Sequence, residues 1–98
     1  MAFFFARLNP KRPDFPADMT AAEGAAMGRH FAFLAEQLTN GTLVVAGPVM
    51  SPSGAFGIAV IESESLEVAR DLLSRDPANA VGAYEISPMG KAVVRQRS

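Results

Sequence analysis

The chain has 98 residues, 49% of them hydrophobic, a formal net charge of −1 and no cysteine. That length suits one domain, residues 1–98, whose core buries roughly two-thirds of the unfolded surface. Disulfides, thiolate nucleophiles and sulfur-ligated metals are excluded, and the near-neutral charge leaves no electrostatic footprint for nucleic acid.

The opening Met1-Ala2-Phe3-Phe4-Phe5-Ala6-Arg7 is apolar but short and lacks a basic leader, so residues 2–8 read as a first strand rather than a signal peptide. No apolar run reaches the ~20 residues of a membrane span, and a cytoplasmic protein is the expectation. Asn9 to Met19 carries Pro10, Pro13 and Pro16, a spacing that disfavours helix and suits an extended, polyproline-like connection or a lid.

Thr20-Ala21-Ala22-Glu23 is a capping box. It predicts a helix from there to about Asn40, where Asn40-Gly41 supplies the stop. Met27, His30, Phe31, Leu34, Ala35 and Leu38 share one face of it. Gly24 and Gly28 weaken this helix and suggest a close backbone approach.

Residues 42–49 are β-branched and read as a strand, and Ser51-Pro52-Ser53-Gly54 as a turn. Residues 55–61 complete a hairpin. Ser63 or Ser65 caps a second helix with Glu64 and Glu67 at its positive end, and Leu66, Ala69, Leu72 and Leu73 form its apolar stripe. Pro77 ends it, and residues 82–87 form a last strand. The tail from Lys91, with Arg95 and Arg97, is basic and reads as irregular or as an added edge strand.

The order β-α-β-β-α-β is the ferredoxin-like α+β arrangement, a four-stranded antiparallel sheet with two helices on one face. In the strands, Phe3 and Phe5 oppose Phe4, Leu43 and Val45 oppose Val44 and Ala46, and Phe56, Ile58 and Val60 oppose Ala59 and Ile61. Strands apolar on both sides need cover on both sides. Two helices cover one, so the other predicts a homodimer packed sheet against sheet.

His30 is the only histidine. Its place among Met27, Phe31 and Leu34 has two readings: a core imidazole bonded to a backbone carbonyl, or a proton-transfer group. A carboxylate on its second nitrogen would fix the tautomer and stabilise the imidazolium. Asp76, between the second helix and the last strand, is the candidate partner; its alternative is a turn residue of the Asp-Pro type. Gly47 and Pro48, at the end of a strand, are candidates for a pocket wall, and Phe5 and Phe56 for its apolar lining. One histidine without cysteine gives no metal set, Gly54-Ala55-Phe56-Gly57 is no phosphate loop, and no nucleophile elbow is present.

His30, Gly41-x-Leu43-x-x-Ala46-Gly47-Pro48, Gly54, Ser65-x-Glu67-x-Ala69-Arg70, Asp76-Pro77, Gly82-x-Tyr84 and Pro88 together resemble the YCII (YciI-like) family, over nearly the whole chain. The resemblance implies a dimeric α+β barrel of ferredoxin-like units and an active site centred on a histidine and an aspartate, which carry over onto His30 and Asp76. It also implies action on small aromatic molecules in some relatives, including a dehydrochlorinase of chlorinated hydroquinones. Ala78 stands where the family often has an aromatic residue, Met89 follows the late proline, and the Pro-rich loop is long. The expectation is a cofactor-independent enzyme using His30 and Asp76 for lyase- or isomerase-like acid–base chemistry on a small, cyclic or aromatic ligand. Its rival is a non-catalytic dimeric ligand-binding or regulatory module.

Overall fold

A computed structural model describes residues 1–95. Strand β1 spans Ala2–Pro10, helix α1 Ala21–Thr39, β2 Leu43–Ser51, β3 Gly54–Ser63, α2 Leu66–Ser74 and β4 Gly82–Pro88, with a 3-10 turn at Pro77–Ala80. The strands form one sheet in the order β2-β3-β1-β4, every neighbouring pair antiparallel. This is the expected ferredoxin-like α+β fold. Among the described residues no helix is long and apolar enough to cross a membrane.

Local chemistry sets the ends of the elements. The Thr20 hydroxyl accepts from the Glu23 amide, and the Glu23 carboxylate accepts from the Thr20 amide, so the capping box is complete. Ser65, not Ser63, caps α2 by accepting from the Val68 amide. Asp76 caps the 3-10 turn, with Pro77 as its first residue.

The core lies between the helices and one sheet face, where Ala6, Ala59, Ile61 and Leu43 pack against Leu73 of α2. Phe4 pairs with Ile61, Ala6 with Ala59 and Leu8 with Gly57, so the even-numbered residues of β1 point to the helices. Phe3, Phe5 and Arg7 therefore lie on the far face, with Val60 beside Phe5 and the Arg7 guanidinium 3.8 Å from the Phe56 ring centre.

Three expectations change. Leu43 and Ala46 do not oppose each other, because a bulge between Leu43 and Val45 shifts the register. One extra residue inverts the alternation beyond it, which turns Ala46, Pro48 and Met50 to the helix side. The loop after β1 is not extended: Phe15, Ala17 and Met19 donate backbone bonds to Arg12, Asp14 and Pro16. Arg12 holds that fold by donating to both Asp18 and Glu23 at 2.6–2.9 Å, and its guanidinium keeps Glu23 down to about 2.

The tight backbone approach is also not at the α1 glycines: a Cβ on Gly24 would make only ordinary contact, 3.5 Å from the Met19 sulfur. A Cβ on Gly28 would meet nothing within 4 Å, whereas one on Gly82 would lie 2.5 Å from the carbonyl oxygen of Asn9. The tail as far as Arg95 is irregular; Arg97 lies outside the described residues.

Candidate functional site

Helix α1 packs its first half against the 3-10 turn. Ala26, one helical turn before His30, is buried in a cluster with Ala78, Val81, Leu8 and Phe15. Alanine at both contact points lets the two backbones approach closely, and this sets His30 directly opposite Asp76. The His30 Nδ1 lies 2.8 Å from each carboxylate oxygen of Asp76. His30 is 8% exposed and Asp76 2%.

Two further donors complete the carboxylate shell. The Ala78 amide donates to Oδ1 at 2.9 Å and the Tyr84 hydroxyl to Oδ2 at 2.5 Å. Behind it, the Asn79 side-chain amide donates to the carbonyls of Leu73 and Asp76 and locks the turn. Burial by itself would push Asp76 up, but the hydrogen bonds from His30, the Ala78 amide and Tyr84 outweigh it and hold the carboxyl below its usual range. Burial, reinforced by the Asp76 carboxylate, raises Tyr84 far above the ordinary phenol range. At neutral pH Asp76 is therefore an anion and Tyr84 a neutral donor. Against an anionic acceptor Nδ1 carries the proton, which leaves Nε2 as the basic nitrogen.

Nε2 has no hydrogen-bond partner among the described residues, and no buried polar side-chain atom lacks a partner there. It is thus the open end of the ring, and it borders a cavity of about 560 Å³ between α1 and the sheet. The cavity exists because its sheet floor is built of small residues, Ala46, Gly47, Ala55, Gly57 and Ala59, under the α1 residues Phe31, Leu34 and Leu38. The loop after β1 adds Phe15, Pro16 and Met19 as an end wall.

Of the residues expected at the site, His30 and Asp76 meet, and Gly47, Pro48 and Phe56 border the cavity. Phe56 contributes less than expected, since Arg7 covers its ring. Phe5 does not border it: its odd position in β1 puts it on the far face of the sheet. Phe31 and Leu38, expected on the apolar face of α1, are 58% and 49% exposed at the cavity rim. Tyr84 was not assigned a role from sequence; its alternation with Leu8 across β1 and β4, followed from the Asp-Pro turn, is the signal that could have found it.

Among solved structures, the chain is similar to 5-chloro-2-hydroxyhydroquinone dehydrochlorinase from Burkholderia phenoliruptrix AC1100, in complex with 2,5-dihydroxybenzoquinone. That match has 15% identity and a TM-score of 0.57 over 91% of this chain and 95% of that one. It is also similar to SnoaB, a cofactor-independent oxygenase from Streptomyces nogalater, with 16% identity and a TM-score of 0.50 over 95% and 94% of the two chains. These likenesses are of fold. A search of curated proteins finds no match. The YCII-related domain matches residues 3–90, and with nearly the whole chain covered, this protein belongs to the YCII-related domain family.

Proposed function

We propose that this chain is a small cofactor-independent enzyme that moves protons on an organic molecule held in the cavity, with His30 as general base and acid. The observation that carries the reading is the unpartnered Nε2 at the cavity wall, on an imidazole whose other nitrogen is held by an ionised, buried carboxylate. Nε2 takes a proton from an acidic C–H or O–H of the ligand. The resulting imidazolium is balanced by Asp76 at 2.8 Å. Return of that proton to another ligand atom completes an isomerisation; departure of a leaving group from the adjacent carbon, with the C–H electron pair forming the new double bond, completes an elimination.

Asp76 orients and charge-balances the ring without touching the ligand, and Tyr84 holds the carboxylate from its other side. The same reading includes a homodimer through the far sheet face, where Phe3, Phe5, Val45 and Val60 have no helix over them.

The test is deuterium exchange. Wild type and His30→Gln are incubated in D2O with a panel of cyclic ketones and quinols, and carbon-bound exchange is read by proton NMR. General base catalysis is worth about 10²–10⁴-fold, so exchange by wild type should fall by that order in the variant. Equal exchange by both proteins across the panel would refute the proposal.

A further inference from the structure

We infer that the cavity selects an uncharged aromatic ligand of two or three fused rings bearing a hydroxyl, and excludes carboxylates and phosphate esters; this rests on the reading of His30 as the group that meets the ligand. Three observations support it. First, no Lys, Arg, Asp or Glu lines the cavity among the described residues, and its only polar side chains are His30 and Tyr84. An anionic group entering it loses its water and finds no cation in return.

Second, the nearest fixed charge has the wrong sign for an anion. Asp76 sits directly behind His30, held ionised by its three donors. With a neutral ligand, transfer of one proton to Nε2 creates an imidazolium between two anions, Asp76 and the ligand's new oxyanion. With a ligand already anionic, the repulsion is present before any proton moves.

Third, size and lining favour fused rings. A closed apolar cavity of about 150 Å³ holds a benzene; this one is about 560 Å³ and open at a rim where Phe31 and Met50 are exposed. Alanine and glycine on the sheet leave room for a ring, and Met19, Met27 and Met50 line the cavity with Phe15 and Phe31. Thioether and ring edges are favourable neighbours for an aromatic face. The hydroxyl is the group that can donate to Nε2.

The experiment is binding at pH 7.5, read on the methionine methyl and His30 ring NMR signals, with phenol, 2-naphthol, 2-naphthoate and 2-naphthyl phosphate as probes. 2-Naphthol should bind at least about tenfold tighter than each of the other three, the loss expected for an uncompensated charge or a half-filled cavity, and should move the His30 signals. Ala46→Phe, which fills the floor, should abolish binding with the fold intact by far-ultraviolet circular dichroism. Comparable affinity for 2-naphthoate, binding retained in Ala46→Phe, or no binding by any probe would overturn the inference. Failure of the acid–base reading looks different: 2-naphthol binds with this selectivity, yet wild type and His30→Gln show the same deuterium exchange.

Discussion

Replacing Asp76 by asparagine tests the pair at the heart of the site. Asp76 accepts from three donors, His30 Nδ1, the Ala78 amide and the Tyr84 hydroxyl. Hydrogen bonds to a charged acceptor are worth about 1.5–3 kcal/mol, neutral ones about 1, so neutralising the acceptor weakens each by about 1 kcal/mol and the three by about 3. Removing a buried charge returns part of its desolvation cost, which lowers the expected loss to about 2 kcal/mol. In a domain of this size that is on the order of 10 °C in Tm. The amide oxygen can keep the Ala78 contact, so the 3-10 turn should survive. The amide nitrogen, however, must donate where the carboxylate accepted. Facing His30, it turns Nδ1 into an acceptor and moves the ring proton to Nε2. The cavity then meets an N–H instead of a lone pair, and general-base activity is lost while the fold persists. Because His30 is the only histidine, long-range proton–nitrogen NMR reads the tautomer without assignment ambiguity. A variant that keeps the Nδ1–H tautomer, or whose stability is within about 0.5 kcal/mol of wild type, as at an uninvolved surface position, would refute the argument.

Three further outcomes follow from the same geometry. Asp76 and Glu23 both titrate below their ordinary values of 3.8 and 4.5. Their stabilisation is therefore complete above those values and is lost as pH falls through the depressed ones; urea midpoints should drop below pH 4.5, and Glu23→Gln should flatten the part of that slope lying between 4.5 and about 2. A slope unchanged by Glu23→Gln would contradict the assignment. Gly82→Ala drives a Cβ to 2.5 Å from the Asn9 carbonyl oxygen, a backbone atom that cannot rotate away, so chemical denaturation should show a loss of about 1–3 kcal/mol, the usual cost of overpacking. Val60→Glu places a carboxylate in the middle of the far sheet face, and sedimentation should change from dimer to monomer; a wild type that sediments as a monomer refutes the proposed assembly.

The sequence made the site's two ends legible and hid what joins them. The capping box at Thr20 and Glu23 and the Asp76-Pro77 stop are local signals, read from neighbours within four residues, and stand where expected; the cap of α2 is Ser65, one of two serines the pattern allowed. The His30–Asp76 pairing spans 46 positions; its rationale was the chemistry of an imidazole that lacks a second partner. Tyr84 stands in the family pattern, but its role was not legible because it depends on β4 lying beside β1, a long-range pairing. The cavity's wall at Gly47 and Pro48 was legible, but its extent along α1 was not. Helical periodicity gathers Phe31, Leu34 and Leu38 on one face, but it reports the polarity of that face and not what the face meets. Here Leu34 reaches the core, as Ala46 does, while Phe31 and Leu38 stay exposed at the cavity rim. Phe5 was misplaced by the same kind of gap: alternation separates odd from even residues of β1 without saying which parity faces the helices. At β2 the bulge between Leu43 and Val45 breaks the alternation itself.

A structural role accounts for Asp76 but not for His30. Asp76 caps the 3-10 turn through the Ala78 amide, receives Tyr84, and would be satisfied with a neutral donor in place of the imidazole. A histidine sealed in the core would use both nitrogens on the protein, since an unmet polar atom there costs about 1–3 kcal/mol; among the described residues no sealed side-chain atom is left unmet, so Nε2 is open. His30 uses one. Its Nδ1 is fixed by a carboxylate whose three donors keep it charged, and its Nε2 opens onto a cavity whose side chains are otherwise apolar apart from Tyr84, which is already donating to Asp76. That asymmetry supports the proposed chemistry: one nitrogen is held, and the other is left free for whatever fills the cavity. The small-residue floor and the alanine contact at Ala26 and Ala78 both serve that arrangement, because a bulkier residue in the floor would close the cavity and one at the contact would part the pair.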